Sequence, residues 1–392
     1  MLRSSGLHTS PWQHCIQGGS NVQLTILPFG TTVECSAEKT LLDTILDAGV
    51  RIASICGGNG RCGRCVVELI EGELAPAGST PPPKPDELSG EQKRFYACTV
   101  IPKSDCTVFI PESSLDDKLQ SQTEYRSQRE ESTAAAPLVA LFRLKLPLPT
   151  LSDSRSDTDR IIDAVRSEYG ISIERVDGRL LTNISTVLRE NNWSIAAAIY
   201  NGELIFAGPP EGRRGMIAVD VGSSKCAVYL INAEDGNVVD SAGVINPQTS
   251  YGADIVSRLG NVVQDACIGN ILQERLVDEI NKQTAELCRK NGYMPENIVH
   301  AVFVGNTAMH HLFFGLAVEQ LVNSPYVPAI SQEHQIKGWE LGLAFSPGAY
   351  ASWLPVIAGY VGPDHLAVLL AEDALRKKNN VVFIDIGTNT EM

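Results

Sequence analysis

Four thiols with uneven spacing are the residues in this chain whose types most plainly predict chemistry. The segment ICGGNGRCGRCVV sets Cys56, Cys62 and Cys65 in a C-x5-C-x2-C run, and Cys98 follows at a distance in FYACTV. Three ligands on one loop and a fourth from afar is an iron–sulfur pattern, since four thiolates complete two tetrahedra around a two-iron, two-sulfide core. A zinc ribbon needs two C-x2-C knuckles, and only Cys62 and Cys65 form one. The C-x2-C-x2-C run of two-cluster bacterial ferredoxins is absent. Gly57, Gly58, Gly60 and Gly63 permit the left-handed backbone and close amide approach that a tight cluster loop requires. The scattered cysteines, Cys15, Cys35, Cys106, Cys226, Cys267 and Cys288, read as small core residues in a reducing compartment rather than as a disulfide framework.

A second chemistry is written in two glycine turns. In MIAVDVGSSKC an apolar strand runs into Asp220, Gly222, Ser223 and Ser224; in VVFIDIGTNTEM another runs into Asp385, Gly387, Thr388 and Asn389. Turn amides and hydroxyls of such a hairpin can face a phosphate while the aspartate at the strand end holds Mg²⁺ through water. One D-x-G-[ST] is weak, because any strand entering a turn produces it often; two copies strengthen the reading. Neither G-x-x-x-x-G-K-[ST] nor G-x-G-x-x-G occurs, so the commoner phosphate loops are excluded. Asp364, after GYVGP, is either a further site residue or a helix N-cap. His310 and His311, adjacent on a helix, point to different faces and read as buried, hydrogen-bonded side chains rather than metal ligands.

These groups must be positioned by several domains, as the length of 392 residues predicts. VQLTILP and TTVEC alternate as strands, TLLDTILDAG sets Leu41, Leu42, Ile45 and Leu46 on one helical face, and CVVELI and CTVFI are strand-like, together a β-grasp ferredoxin domain over 21–111. Residues 1–20 read as a disordered extension. Residues 112–137 are polar and alanine-rich and read as a tether. Residues 138–213 predict a small α+β domain, with a helix opened by Ser156 and Asp159 and a hairpin turned by Asn201 and Gly202. From 214 onward, strands, a long helix around ERLVDEINKQTAELCRKNG and the strand IVHAVFVG form an α/β half. The fold class expected is multidomain α/β.

Lys and Arg number 32 against 46 Asp and Glu, a net charge of −14, which disfavours nucleic acid and anionic membrane as partners. No stretch approaches the apolar length of a membrane span or a signal peptide, so the expected location is cytoplasmic.

The paired turns resemble those of the actin, sugar-kinase and Hsp70-like ATPases, whose two related lobes close on ATP. The domain order, together with NPQTSYGADIVSRL, GNTAMHHLFFGL, GYVGPD and DIGTNTE, resembles the reductive activators of corrinoid proteins, from about Asn21 to the end. The resemblance implies ATP-driven transfer of an electron from a [2Fe–2S] cluster to cobalt(II) of a corrinoid methyl-transfer protein, restoring cobalt(I). It implies a corrinoid protein as partner and a reductase or ferredoxin as electron donor. It places Cys56, Cys62, Cys65 and Cys98 on the cluster, and Asp220 to Ser224 and Asp385 to Thr388 at phosphate and Mg²⁺. Rival readings are a plain electron carrier with a docking scaffold and a metabolite kinase with a redox domain. Because the second turn is the last feature of the sequence, the ATPase half is expected to be incomplete, ATP binding weak, and the region after about Asn246 poorly packed or paired with another chain in a homo-oligomer.

Overall fold

The structure is a computed structural model that describes residues 21–36, 39–50, 52–54, 56–58, 60–77, 93–114, 138–252, 254–386 and 390–391. The N-terminal extension, Cys15, most of the tether and Gly387, Thr388 and Asn389 lie outside the described residues.

Strands β1 (Asn21–Leu27) and β2 (Thr31–Ser36) form a hairpin, followed by helix α1 (Leu41–Asp47), which opens on Thr40, whose hydroxyl accepts the Asp43 N–H. After the cysteine loop come β3 (Val66–Glu71), β4 (Leu74–Pro76), β5 (Lys93–Tyr96), β6 (Val100–Pro102) and β7 (Cys106–Phe109). The main sheet has the order β2-β1-β7-β3-β5, with β1 and β7 parallel and the other pairs antiparallel. The apolar face of α1, Leu41, Leu42, Ile45 and Leu46, is buried with Leu24, Ile26, Val67 and Val108 in one core, which is the β-grasp arrangement expected. The turn Glu112–Ser114 belongs to this domain rather than to the tether, since Ser114 is buried and its carbonyl accepts the Ala53 N–H.

The second unit comprises β8 (Ala140–Lys145), α2 (Asp157–Tyr169), β9 (Arg175–Val176), α3 (Ile184–Glu190), β10 (Ser194–Tyr200) and β11 (Glu203–Gly208), with sheet order β8-β10-β11-β9. Ser156 caps α2 by accepting the Asp159 N–H, and Asn201 and Gly202, both at positive φ, make the tight β10–β11 turn. One face of the sheet packs on α2 and α3. The other buries Ala198, Tyr200 and Ile205 against Ala233 and Val299 of the third unit. Lys337 secures that contact through Asp177 at 2.9 Å and Glu203 at 2.7 Å.

The third unit runs through β12 (Gly215–Val221), β13 (Lys225–Asn232), β14 (Val238–Ile245), α4 (Ile255–Gln264), α5 (Ala266–Asn291), β15 (Ile298–Val304), α6 (Thr307–Phe314), α7 (Glu319–Val322), β16 (His334–Lys337), β17 (Tyr350–Trp353) and α8 (Pro363–Ala371). Its sheet order is β14-β13-β12-β15-β17-β16. An antiparallel meander continuing into two strands parallel to its first member is the ribonuclease H-like arrangement on which actin-like lobes are built. The expectation of poor packing after Asn246 is corrected here: Leu259, Leu276, Phe303, Phe313 and Trp353 are all buried in one core. Parallel pairing of β15 and β17 onto β12 supplies the surface that packing needs. Exposed apolar side chains occur singly along the unit, at Val256, Met294, Val327 and Ile357, and gather toward its end at Leu370, Leu375, Val381, Val382 and Ile384. The predicted strand VVFIDIG is also corrected. Only Asp385–Ile386 (β18) is extended in a ladder, pairing with Thr390–Glu391 (β19) rather than with the large sheet.

Among the scattered cysteines, Cys35, Cys106, Cys226 and Cys288 are buried thiols. Cys267 departs from the core reading: it is half-buried in the first turn of α5 and disulfide-bonded. No helix among the described residues is long and apolar enough to cross a membrane.

Candidate functional sites

The cysteine loop is held by the ends of the grasp. Pairing of β3 with β5 continues one step beyond the ladder, where Ala97 N–H donates to Cys65 O at 2.8 Å, and this brings Cys98 to 3.4 Å from Cys65, sulfur to sulfur. Gly57, Gly58, Gly60 and Gly63 all adopt φ between 62° and 85°, which side chains resist. Cys56, Cys62, Cys65 and Cys98 take part in no disulfide. They are grouped in pairs. Cys65 is drawn down to about 7 by its hydrogen bond to Cys98, whose own thiol is pushed up as the proton-holding partner. Cys62, raised by burial, has Cys56 as its sulfur neighbour. Among the described residues no three ligating side chains gather for a single ion. Two pairs fit a two-iron cluster better than one tetrahedral zinc, because each iron takes two thiolates and the bridging sulfides fill the space between.

The second site lies where β12 ends. Asp220 is exposed at the end of β12, yet crowding by the surrounding protein, and then the charges of Asp364 and Asp385, push its carboxyl up to about 7. Asp364 is likewise raised by burial and by Asp385. Three acids from three elements, the end of β12, the first turn of α8 and β18, therefore feel one another's charge, without gathering closely enough to ligate one ion directly among the described residues. Asp364 is not the N-cap. Gly362 holds that place, and Asp364, second in the helix, accepts the His365 N–H on its own carboxylate at 2.9 Å.

The turn after Asp220 is packed from behind. A Cβ on Gly222 would overlap the Lys225 carbonyl, so this position requires glycine. Ser223 is buried. Asn246 donates to Gly222 O at 2.8 Å and its own N–H donates to Ser224 O at 3.0 Å. Arg258, fully buried, donates to Ser223 O and to Gly252 O. Neither Asn246 nor Arg258 figured among the sequence candidates. The signal was present in NPQTSYGADIVSRL: the spacing Ile255, Arg258, Leu259, Val262 puts an arginine on the apolar face of an amphipathic helix, where it must find buried acceptors.

His310 and His311 are buried, as read from sequence. Nδ1 of His311 donates to Thr307 O at 2.8 Å and its Nε2 accepts the Ala329 N–H at 2.9 Å, which uses both ring nitrogens. His310 is pushed down to about 3 by burial, then by His311 and His334. Two surface cavities, of about 630 and 320 Å³, are lined from the second unit and its border with the third, away from both sites.

Comparison with known proteins bears on both sites. Residues 24–103, which include all four paired thiols, match the 2Fe-2S iron-sulfur cluster binding domain; residues 128–211 match the RACo linker region and residues 215–377 the RACo middle region. Over most of its length the chain is similar to the reductive activators of corrinoid proteins. A solved "Reductive activator for corrinoid,iron-sulfur protein" matches with a TM-score of 0.60 and 27% identity, over 94% of this chain and 60% of that one. The corrinoid activation enzyme RamQ of Eubacterium limosum is 23% identical over 92% of this chain and 57% of its own length. The phenol hydroxylase P5 protein of Acinetobacter pittii is 30% identical over 128 residues, 32% of this chain and 36% of its own. The chain thus spans somewhat more than half the length of the two activators it matches end to end.

Proposed function

We propose that the chain acts in the ATP-dependent reductive activation of a corrinoid methyl-transfer protein, passing one electron from its cluster to cobalt(II) and so restoring cobalt(I). The observation that carries this reading is the union, in one chain, of two thiol pairs on a β-grasp loop with a carboxylate-lined turn on a ribonuclease H-like sheet. Cys56 with Cys62, and Cys65 with Cys98, would hold a two-iron cluster, which supplies one-electron transfer when bound. The chain's own contribution there is a loop whose glycines let backbone amides approach the sulfurs.

At the other site, Gly222, Ser223 and Ser224 present amides and hydroxyls to phosphate. Asp220 and Asp385 would hold Mg²⁺ through water, with Asp364 adding negative charge beside them, and the turn of Gly387, Thr388 and Asn389 is assigned the facing role by its likeness to the first. Cobalt(II) is hard to reduce, so donor and acceptor alone leave the step uphill. A nucleotide can shift it only through different affinities for two states of the protein. An external reductase or ferredoxin supplies the electron. The likeness to the RamQ enzyme and to the solved activator supports a corrinoid protein as the partner.

Anaerobic visible spectroscopy of a cobalt(II) corrinoid protein mixed with this chain and a reductant tests the reading. Cobalt(I) should form only with ATP present. An equal rate with and without ATP would remove the coupling and leave an electron carrier.

A further inference from the structure

The cluster loop rests on the nucleotide half. Gly57, next in the chain to Cys56, lies against the backbone of Tyr251 and Gly252: a Cβ there would overlap the Tyr251 carbonyl and stand 2.7 Å from the Gly252 nitrogen. Asn261 of α4 donates to Tyr251 O at 2.9 Å and to Gly57 O at 3.3 Å. One turn of structure away, Arg275 of α5 pairs with Asp47 at the end of α1 and sets its guanidinium 5.4 Å from the Tyr251 ring centre. Tyr251, Gly252, Asn261 and Arg275 thus form a seat that receives both the cluster loop and the adjoining helix.

The same seat is tied to the first phosphate turn. Arg258 donates through Nε to Gly252 O at 2.7 Å and through a terminal nitrogen to Ser223 O. Asn246, bonded to Gly222 O, opens the short helical turn Pro247–Tyr251 that ends on the seat. The guanidinium is planar and rigid, so its two carbonyl partners cannot move independently without losing a buried bond. A Cβ on Gly252 would stand 2.9 Å from the Arg258 nitrogen, so the two segments are also in direct contact.

We propose that Arg258 is a positioning residue that couples the Gly222–Ser224 turn to the seat of the cluster loop, so that a nucleotide phosphate at the turn shifts how the Cys56–Cys65 loop docks. The coupling rests on the reading that this turn takes Mg-nucleotide and that the four thiols hold the cluster. It goes beyond that reading by making NPQTSYGADIVSRL the segment through which the two chemistries sense each other. The effect is reciprocal, so reduction or displacement of the loop alters nucleotide affinity by the same factor.

The test uses the full chain with its cluster assembled anaerobically. Calorimetric titration with Mg-ADP establishes binding; amide hydrogen exchange of residues 56–65 and the electron paramagnetic resonance spectrum of the reduced cluster are then compared with and without it. In the wild type, loop exchange should change about fivefold or more, with a matching change in the spectrum. Arg258→Met should bind Mg-ADP and lose both responses, and Arg258→Lys should recover part of them. Asn261→Ala, which removes the donor at the seat and leaves the buried arginine in place, should bind Mg-ADP and lose most of the loop response even if Arg258→Met does not fold. Heat of binding with no response in the wild type overturns the coupling and spares the phosphate assignment; so does a response undiminished in Asn261→Ala. Absence of any binding heat in the wild type overturns the phosphate assignment and the coupling with it.

Discussion

Replacing Asp220 by Asn tests the electrostatics of the acidic site without changing its shape. The folded carboxyl titrates at about 7 against an ordinary 3.8, with desolvation the larger cause and the charges of Asp364 and Asp385 the next. A carboxyl raised in this way binds its proton more tightly folded than unfolded, so its ionisation opposes folding. The opposition is absent below about pH 4, grows through the interval and is complete above pH 7. Raising the carboxyl from 3.8 to about 7 corresponds to about 4 kcal/mol, which the exposure of Asp220 reduces to about 1–2 kcal/mol. Urea unfolding of the Mg²⁺-free chain at pH 8 and pH 5, followed by tryptophan emission from Trp339 and Trp353 in this unit, reads the difference. Asp220→Asn should be the more stable protein at pH 8 by about 1–2 kcal/mol, and the gap should shrink to about a third of that at pH 5. Mg-ADP binding should be lost at both. A gap that does not depend on pH, or a variant less stable at pH 8, would refute the claim that desolvation and the neighbouring charges raise the Asp220 carboxyl.

Two further outcomes follow from other parts of the molecule. Cys98→Ser should lose most of the iron and acid-labile sulfide while Cys106→Ser, a buried thiol outside the paired set, keeps about two of each; zinc without sulfide in the wild type would end the cluster assignment. Lys337→Met should destabilise the contact between the second and third units by about 3 kcal/mol, because buried Asp177 loses its cation while Glu203 keeps only Arg175 at 3.8 Å and the Tyr350 hydroxyl; thermal unfolding that matches wild type would show the pair is dispensable.

Local chemistry was the most legible part of the sequence. The glycines of the cysteine loop, the Ser156 cap and the Asn201–Gly202 turn all act within a few residues of where they stand, and each adopts the conformation its type dictates. What the sequence concealed depends on distant partners. Nothing near Gly57 announces that it faces Tyr251, since the two segments meet only through the packing of α1 and the cluster loop on α4 and α5. Asp364 looked like a cap because GYVGP precedes it; Pro363 occupies the first helical position and moves the cap back to Gly362. The strand VVFIDIG was read from its apolar run. Apolar runs form strands where a sheet edge receives them, and β12 already has β13 and β15 on its two sides. The tight packing after Asn246 was hidden for a related reason: β15 and β17 are short and separated by long connections, so their parallel pairing is not visible as a local pattern.

The geometry of the acidic site also constrains how a nucleotide could act at a distance. Asp220, Asp364 and Asp385 sit on three elements that make no ladder with one another, and their mutual repulsion raises the cost of bringing those elements together. On the proposed reading, a magnesium ion reverses the sign of that interaction, since a divalent cation between ionised carboxylates attracts all three. Drawing in the end of β12 pulls on the turn behind it, where Gly222 and Ser223 are bound by Asn246 and Arg258. Those two side chains lead to Tyr251 and Gly252, on which the cluster loop rests. Electrostatic energy released at the carboxylates therefore has a continuous, buried and hydrogen-bonded route to the loop. Because Asp220, raised to about 7, must be ionised for the cation to bind, both Mg-nucleotide affinity and the response of the loop should rise together as pH passes from 6 to 8. Two quantities that rose with different midpoints would place the origin of the coupling elsewhere than in Asp220.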